Sequence, residues 1–89
     1  GDPERIELEF DAEVAPFVRG RLWHESQGVS DLPDGRIHMT LDVSNDWALR
    51  SWLLGFGANV KVLRPEALAL SLLQEFRRAT AVYEAARVR

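Results

Sequence analysis

The sequence predicts an α+β domain: a ferredoxin-like βαββαβ sheet with helices on one face and a further helix at its C-terminal end. Two observations carry this. Arg5–Phe10 and Arg36–Val43 alternate polar and apolar residues with the period of a half-buried strand, while three other segments repeat apolar residues at helical spacing. The order is strand–helix–strand–strand–helix–strand–helix. Two right-handed crossovers joined by a hairpin then give the split βαβ arrangement.

Each element has a local reason. In the first strand Ile6, Leu8 and Phe10 face one way, and Arg5, Glu7 and Glu9 the other. Asp11 is a candidate N-cap for a short helix carrying Val14, Phe17 and Val18, and Gly20 is its stop. Pro16 lies inside that pattern, so the helix either starts near Ala15 or kinks there. Leu22–Val29 reads as a second strand, although it shows no clean apolar face. Asp31-Leu32-Pro33-Asp34-Gly35 is turn chemistry. The next strand turns Ile37, Met39, Leu41 and Val43 inward.

Ser44-Asn45-Asp46 offers caps for a helix over Trp47–Phe56, with Ala48, Leu49, Trp52, Leu53 and Phe56 as its apolar stripe and Gly57 as its end. Ala58–Leu63 is a short strand with Val60 and Val62 inward. Pro65 suits a first helical position. The last helix runs from Glu66 to about Tyr83, with Leu68, Leu72, Leu73, Phe76, Ala79 and Tyr83 at helical spacing. In the expected topology the two clean alternators are central, and Leu22–Val29 and Ala58–Leu63 lie at the edges. An edge position tolerates weak alternation, because burial specifies its register less tightly.

Composition narrows the function. Eighty-nine residues make one small domain with a single thin core. Apolar content of 46% with 28% charged residues is that of a globular chain. The net charge of −3 provides no global basic field for nucleic acid, which leaves a local patch open. There is no cysteine, hence no disulfide and no thiolate metal site. No apolar run approaches the length of a membrane span, and no partner membrane is expected. Residues 1–5 read as a cloning scar or linker, 6–86 as one domain cut from a longer protein, and 87–89 as a frayed basic tail.

No catalytic constellation is legible, so no enzyme, cofactor or metal is expected. His24 and His38 fall on predicted neighbouring strands, and Glu25, Asp42 or Glu7 are candidate third ligands, but the spacing matches no metal motif. Ser26 beside His24 lacks an orienting acid. The outward positions of the central strands carry no stacking aromatic, which argues against RNA recognition on the open face. Trp52 is expected in the core, with Trp47 covering the start of its helix. The positive, aromatic-tinged cluster is Arg19, Arg21, Trp23 and His24.

The stretches "IELEFDAEVAPFVRGRLWHESQ" and "DGRIHMTLDVSNDWALRSWLLGFGANVKVLRPEAL", followed by a Leu-rich helix, resemble the C-terminal extension domain, called WCX, of WYL-type bacterial transcriptional regulators. The resemblance covers Ile6 to about Tyr83. It implies a ferredoxin-like domain that follows a DNA-binding winged helix and a WYL domain in a cytoplasmic regulator. It implies a role in homodimerisation and in helping the WYL domain sense an effector, which is nucleic acid for some members. It singles out Arg19, Arg21, Trp23, His24, Ser26 and Gln27 as contacts to a ligand or a neighbouring domain. Two other classes remain open: an ACT-like small-molecule module, disfavoured by the lack of Gly in the turn Asp11–Val14, and a purely structural interaction domain.

Overall fold

A computed structural model describes residues 1–87. Its elements are β1 (Glu4–Phe10), α1 (Ala15–Arg19), β2 (Gly28–Asp31), β3 (Ile37–Val43), α2 (Trp47–Leu54), β4 (Val60–Arg64) and α3 (Glu66–Arg87). Single 3-10 turns at Pro33–Gly35 and Gly57–Asn59 precede β3 and β4. The four strands form one antiparallel sheet in the order β2-β3-β1-β4. The α+β ferredoxin-like arrangement is therefore present, with the two cleanest alternators at the centre.

The register explains the core. Ile6 opposes Leu41, Leu8 opposes Met39 and Phe10 opposes Ile37, so six apolar side chains share one sheet face. All six are buried, and Ala15, Val18, Leu49, Leu53, Leu68 and Leu72 from the three helices close over them. Val60 and Val62 pack at the margin from the β4 edge.

Local chemistry sets most boundaries. Asp11 Oδ1 accepts the backbone N–H of Glu13 (3.1 Å) and of Val14 (3.3 Å), closing a turn from which α1 starts at Ala15. Pro16 thus stands in the first turn, where its missing N–H leaves no helical bond unmade. Asp46 caps α2 by accepting the N–H of Leu49 at 3.0 Å. Asp34 and Gly35 both adopt positive φ, at 67° and 81°, to turn the chain between β2 and β3.

Several expected bounds change. The strand expected at Leu22–Val29 is a loop until Gly28, where β2 begins and continues to Asp31. Gly28 lies so close to β3 that a β-carbon there would stand 2.7 Å from Thr40 Oγ1. The helix expected over Trp47–Phe56 ends at Leu54 with Gly55 as its cap, and Gly57, at φ 57°, belongs to the following turn. The strand expected at Ala58–Leu63 runs from Val60 to Arg64. Pro65 precedes α3 and contributes its carbonyl to the N–H of Ala69. β1 begins at Glu4, inside the stretch expected as scar or linker. α3 is described as far as Arg87, and residues 88 and 89 of the expected tail lie outside the described residues.

The largest correction concerns α3. Leu68 and Leu72 are buried, but Leu73, Phe76 and Tyr83, which repeat with them at helical spacing, are 42%, 37% and 74% exposed. Every residue from Phe76 to Arg87 is exposed. A helix of 22 residues is roughly 33 Å long. The stripe is real, yet the sheet beneath it stops about halfway.

Candidate functional site

Residues 19–27 form a loop held by side chains instead of a strand ladder. Gln27 is its staple. Its Oε1 accepts the backbone N–H of Trp23 at 2.7 Å, its Nε2 donates to the carbonyl of Arg21 at 3.1 Å, and its own N–H donates to the carbonyl of His24 at 3.1 Å. A second tie fixes the loop to β3. Ser26 Oγ accepts the backbone N–H of Asp42 at 2.9 Å and lies 2.7 Å from His24 Nδ1, which also accepts the N–H of Ser26 at 3.1 Å. Since Nδ1 accepts, the hydrogen of the neutral ring sits on Nε2. The His24–Ser26 contacts lock the turn.

Those ties aim Trp23 at the core margin. Its indole Nε1–H donates to the carbonyl of Val18 at 3.0 Å. Its ring meets Trp52 at 5.2 Å, Phe17 at 5.7 Å and Phe56 at 6.3 Å between centroids. Trp52 in turn stands edge-on to Phe10 and Phe56, at 6.1 and 5.4 Å. The cluster joins β1, α1, the loop and α2. Trp52 is at the core margin, partly exposed, and its buried Nε1–H has no acceptor among the described residues. Trp47, by contrast, is 62% exposed.

The expected site residues therefore divide. Trp23, His24, Ser26 and Gln27 come together and build the loop. Arg21 is exposed and lays its guanidinium over Phe17, 4.6 Å from the ring centroid, and over Trp23 at 6.0 Å, so it stays with the loop. Arg19 pairs with Asp31 at the end of β2. His24 and His38 do not share a site: His24 is tied beside Asp42, four residues along β3 from His38, roughly 13 Å at the rise of a strand. His38 instead meets Glu7 at 3.3 Å. Among the described residues no three His, Asp or Glu side chains converge on a metal position.

Sequence reasoning missed the groove beside the loop. It has a volume of about 650 Å³ and lies between Trp23-His24-Glu25, the end of β3 and the first turns of α2. Leu41, Leu49 and the two indoles supply its apolar lining; Glu25, Asp42 and Asp46 border it, with the Asp42 carboxylate turned to Arg5 on the open sheet face and the Asp46 carboxylate capping α2. No periodicity could reveal it, because its walls come from four separate segments: Pro3, the loop, the end of β3 and the start of α2.

The open sheet face is a lattice of paired charges. Glu9 pairs with Arg36 at 3.1 Å, Glu7 with His38 and with Arg64 (3.7 Å), and Arg5 with Asp42 at 2.7 Å. The hydrogen bond from Arg5 holds the Asp42 carboxyl below the ordinary aspartate range, against the opposing effect of desolvation. Alternating signs leave no continuous basic stripe along the described strands. Among the described residues no helix is long and apolar enough to cross a membrane.

The model of the WCX domain matches residues 2–80. The chain belongs to the WCX domain family. That is the C-terminal extension of WYL-domain transcriptional regulators which the sequence resembles, and the match spans the whole sheet and most of α3. Protein PafC of Mycobacterium tuberculosis, in strains CDC 1551 / Oshkosh and ATCC 25618 / H37Rv, is 37% identical over 75 residues. The aligned part is 82% of this chain and 23% of those proteins. This WCX domain thus spans about a quarter of the length of the curated relatives it matches.

Proposed function

We propose that this WCX domain is the regulatory C-terminal part of a WYL-type, DNA-binding transcriptional regulator, where it joins two subunits and assists effector sensing by the neighbouring WYL domain. On this reading a winged helix binds the DNA, the protein works in the cytoplasm, and the domain itself catalyses nothing. A nucleic-acid effector, if used, meets the neighbouring domain, because the open face here carries paired charges and no stacking aromatic.

The observation that carries the joining role is the overhang of α3. Phe76, Ala79, Tyr83 and Ala86 follow Leu72 at alternating intervals of four and three residues, so they continue the face that Leu68 and Leu72 bury. Val82 and Tyr83 on that overhang are 59% and 74% exposed. A contiguous apolar face of this kind marks an interaction surface.

The test is sedimentation velocity of the full-length regulator over a concentration series, with and without Val82→Asp and Tyr83→Asp. Both positions are exposed, so the fold should survive. Self-association weakened at least tenfold is expected. A regulator that associates equally well with both aspartates would overturn the joining role of α3.

A further inference from the structure

We propose that the overhangs of two copies pair antiparallel, α3 against α3, about a two-fold axis beside Val82. This rests on the joining role of α3 proposed above and names its partner and its geometry.

Size sets the direction. Beyond the sheet, the apolar face of α3 carries Phe76, Ala79, Tyr83 and Ala86, large and small in turn. Intervals alternating between three and four residues are those at which two helices stay in contact along their length. In a parallel pair each residue meets its own counterpart. Two phenylalanines, or two tyrosines, would crowd one layer, and two alanines would leave the next one empty. In an antiparallel pair every ring meets an alanine: Phe76 faces Ala86 of the second copy, and Tyr83 faces its Ala79.

The body of the domain sets the register. A slide of one heptad inward would bring Tyr83 over Leu72, which its own core already buries. A slide of one heptad outward would leave Phe76 and Ala79 uncovered. In the register between, Val82 of one copy lies beside Val82 of the other, on the flank of α3 that faces α2. On that flank Trp47 shares a cleft with Glu75 and Arg78. The second copy brings its Val82 and Ala85 to this cleft. Glu75 and Arg78 already pair with each other at 2.6 Å, so an apolar cover strands no charge there. Phe76, Tyr83 and Trp47 are 37%, 74% and 62% exposed in the single copy. At roughly 150–250 Å² per aromatic side chain, two copies then hide on the order of 700 Å² of these three. Val82 and the alanines bring the contact near the ~1,000 Å² of a specific interface, which makes the isolated pair a weak one.

The chain has no cysteine, so one can be added at will and spin-labelled. Gln74→Cys and Ala81→Cys both place the label on the exposed outer side of α3. In the antiparallel register the two labels at position 81 lie level, whereas those at position 74 are offset by about 14 residues, ~21 Å along the axis. Pulsed electron–electron resonance on the 89-residue chain should therefore give a distance between copies that is clearly longer at 74 than at 81. A parallel pair gives equal distances. The tryptophans supply a second readout. In a nitrogen-15 dilution series the Trp47 indole resonance should move with concentration, while those of Trp23 and Trp52, which line the other groove, stay in place. Ala79→Leu separates fit from mere stickiness. It adds apolar surface, yet it overfills the layer against Tyr83, so association should weaken several-fold. The proposal is overturned if the two distances agree, if Trp47 does not respond, if Ala79→Leu tightens association, or if the chain stays monomeric at the top of the series. Any of these results with Val82→Asp still weakening the full-length regulator removes this geometry and leaves the joining role standing. An indifferent Val82→Asp removes both.

Discussion

Replacing Trp52 by alanine probes the aromatic cluster that joins the loop to the sheet. A buried tryptophan hides roughly 150–250 Å². At ~25 cal/mol per Å² this corresponds to about 4–6 kcal/mol for complete burial. Trp52 keeps part of its surface exposed, which lowers the figure. Its Nε1–H is buried without an acceptor, so deletion also removes a penalty of ~1–3 kcal/mol. Against that, the contacts to Phe10, Trp23 and Phe56 disappear and a cavity remains. The net expectation is a loss of about 3 kcal/mol, the lower end of the range for emptying a large aromatic site. A small domain has little more than ~5 kcal/mol in total, so Trp52→Ala should sit close to unfolding. Trp52→Phe should cost only ~1 kcal/mol, because it keeps a ring in the cluster and drops the unsatisfied donor. Trp47→Ala should cost under ~1 kcal/mol, because Trp47 is mostly exposed. Urea unfolding followed by far-ultraviolet circular dichroism orders the three through their midpoints at a common slope. If Trp47→Ala proves the most damaging, or Trp52→Phe costs as much as Trp52→Ala, the account of the cluster is wrong.

Three further outcomes follow from individual contacts. Asp46→Ala removes the cap on Leu49 N–H and should cost ~1 kcal/mol in the same urea assay, with Asp46→Ser restoring most of it. Gln27→Ala removes the bonds to Trp23 N–H and Arg21 C=O; a loss of ~1–2 kcal/mol and a red-shifted tryptophan emission are expected, and unchanged emission would count against the staple. Arg5→Ala should let the Asp42 carboxyl rise toward the ordinary aspartate range, read by a carboxyl-detected NMR titration. The sign follows from the depressed folded value: the pair contributes above the unfolded aspartate pKa, and that contribution fades as pH falls through the folded one. Both groups are exposed, so the effect belongs to the titration curve and not to the melting point.

The order and type of the strands and helices were legible before folding, because they rest on short-range periodicity; the position of β2 was not, because its stretch has no clean alternation. Alternation at Ile6, Leu8 and Phe10 and at Ile37, Met39 and Leu41 can be satisfied only by strands that share a buried face, and the topology follows from their connections. Only the tertiary structure decided what the polar stretch Leu22–Gln27 does. Its backbone groups are met by Gln27 and Ser26 side chains and by the end of β3, contacts that no local pattern encodes. The same holds for α3. Periodicity marks an apolar face from Leu68 to Tyr83, but how far along that face another element lies depends on where the sheet ends. The groove is the clearest case: Trp23, Leu41 and Trp52 are distant in sequence, and only packing brings an indole pair and an apolar floor to one place.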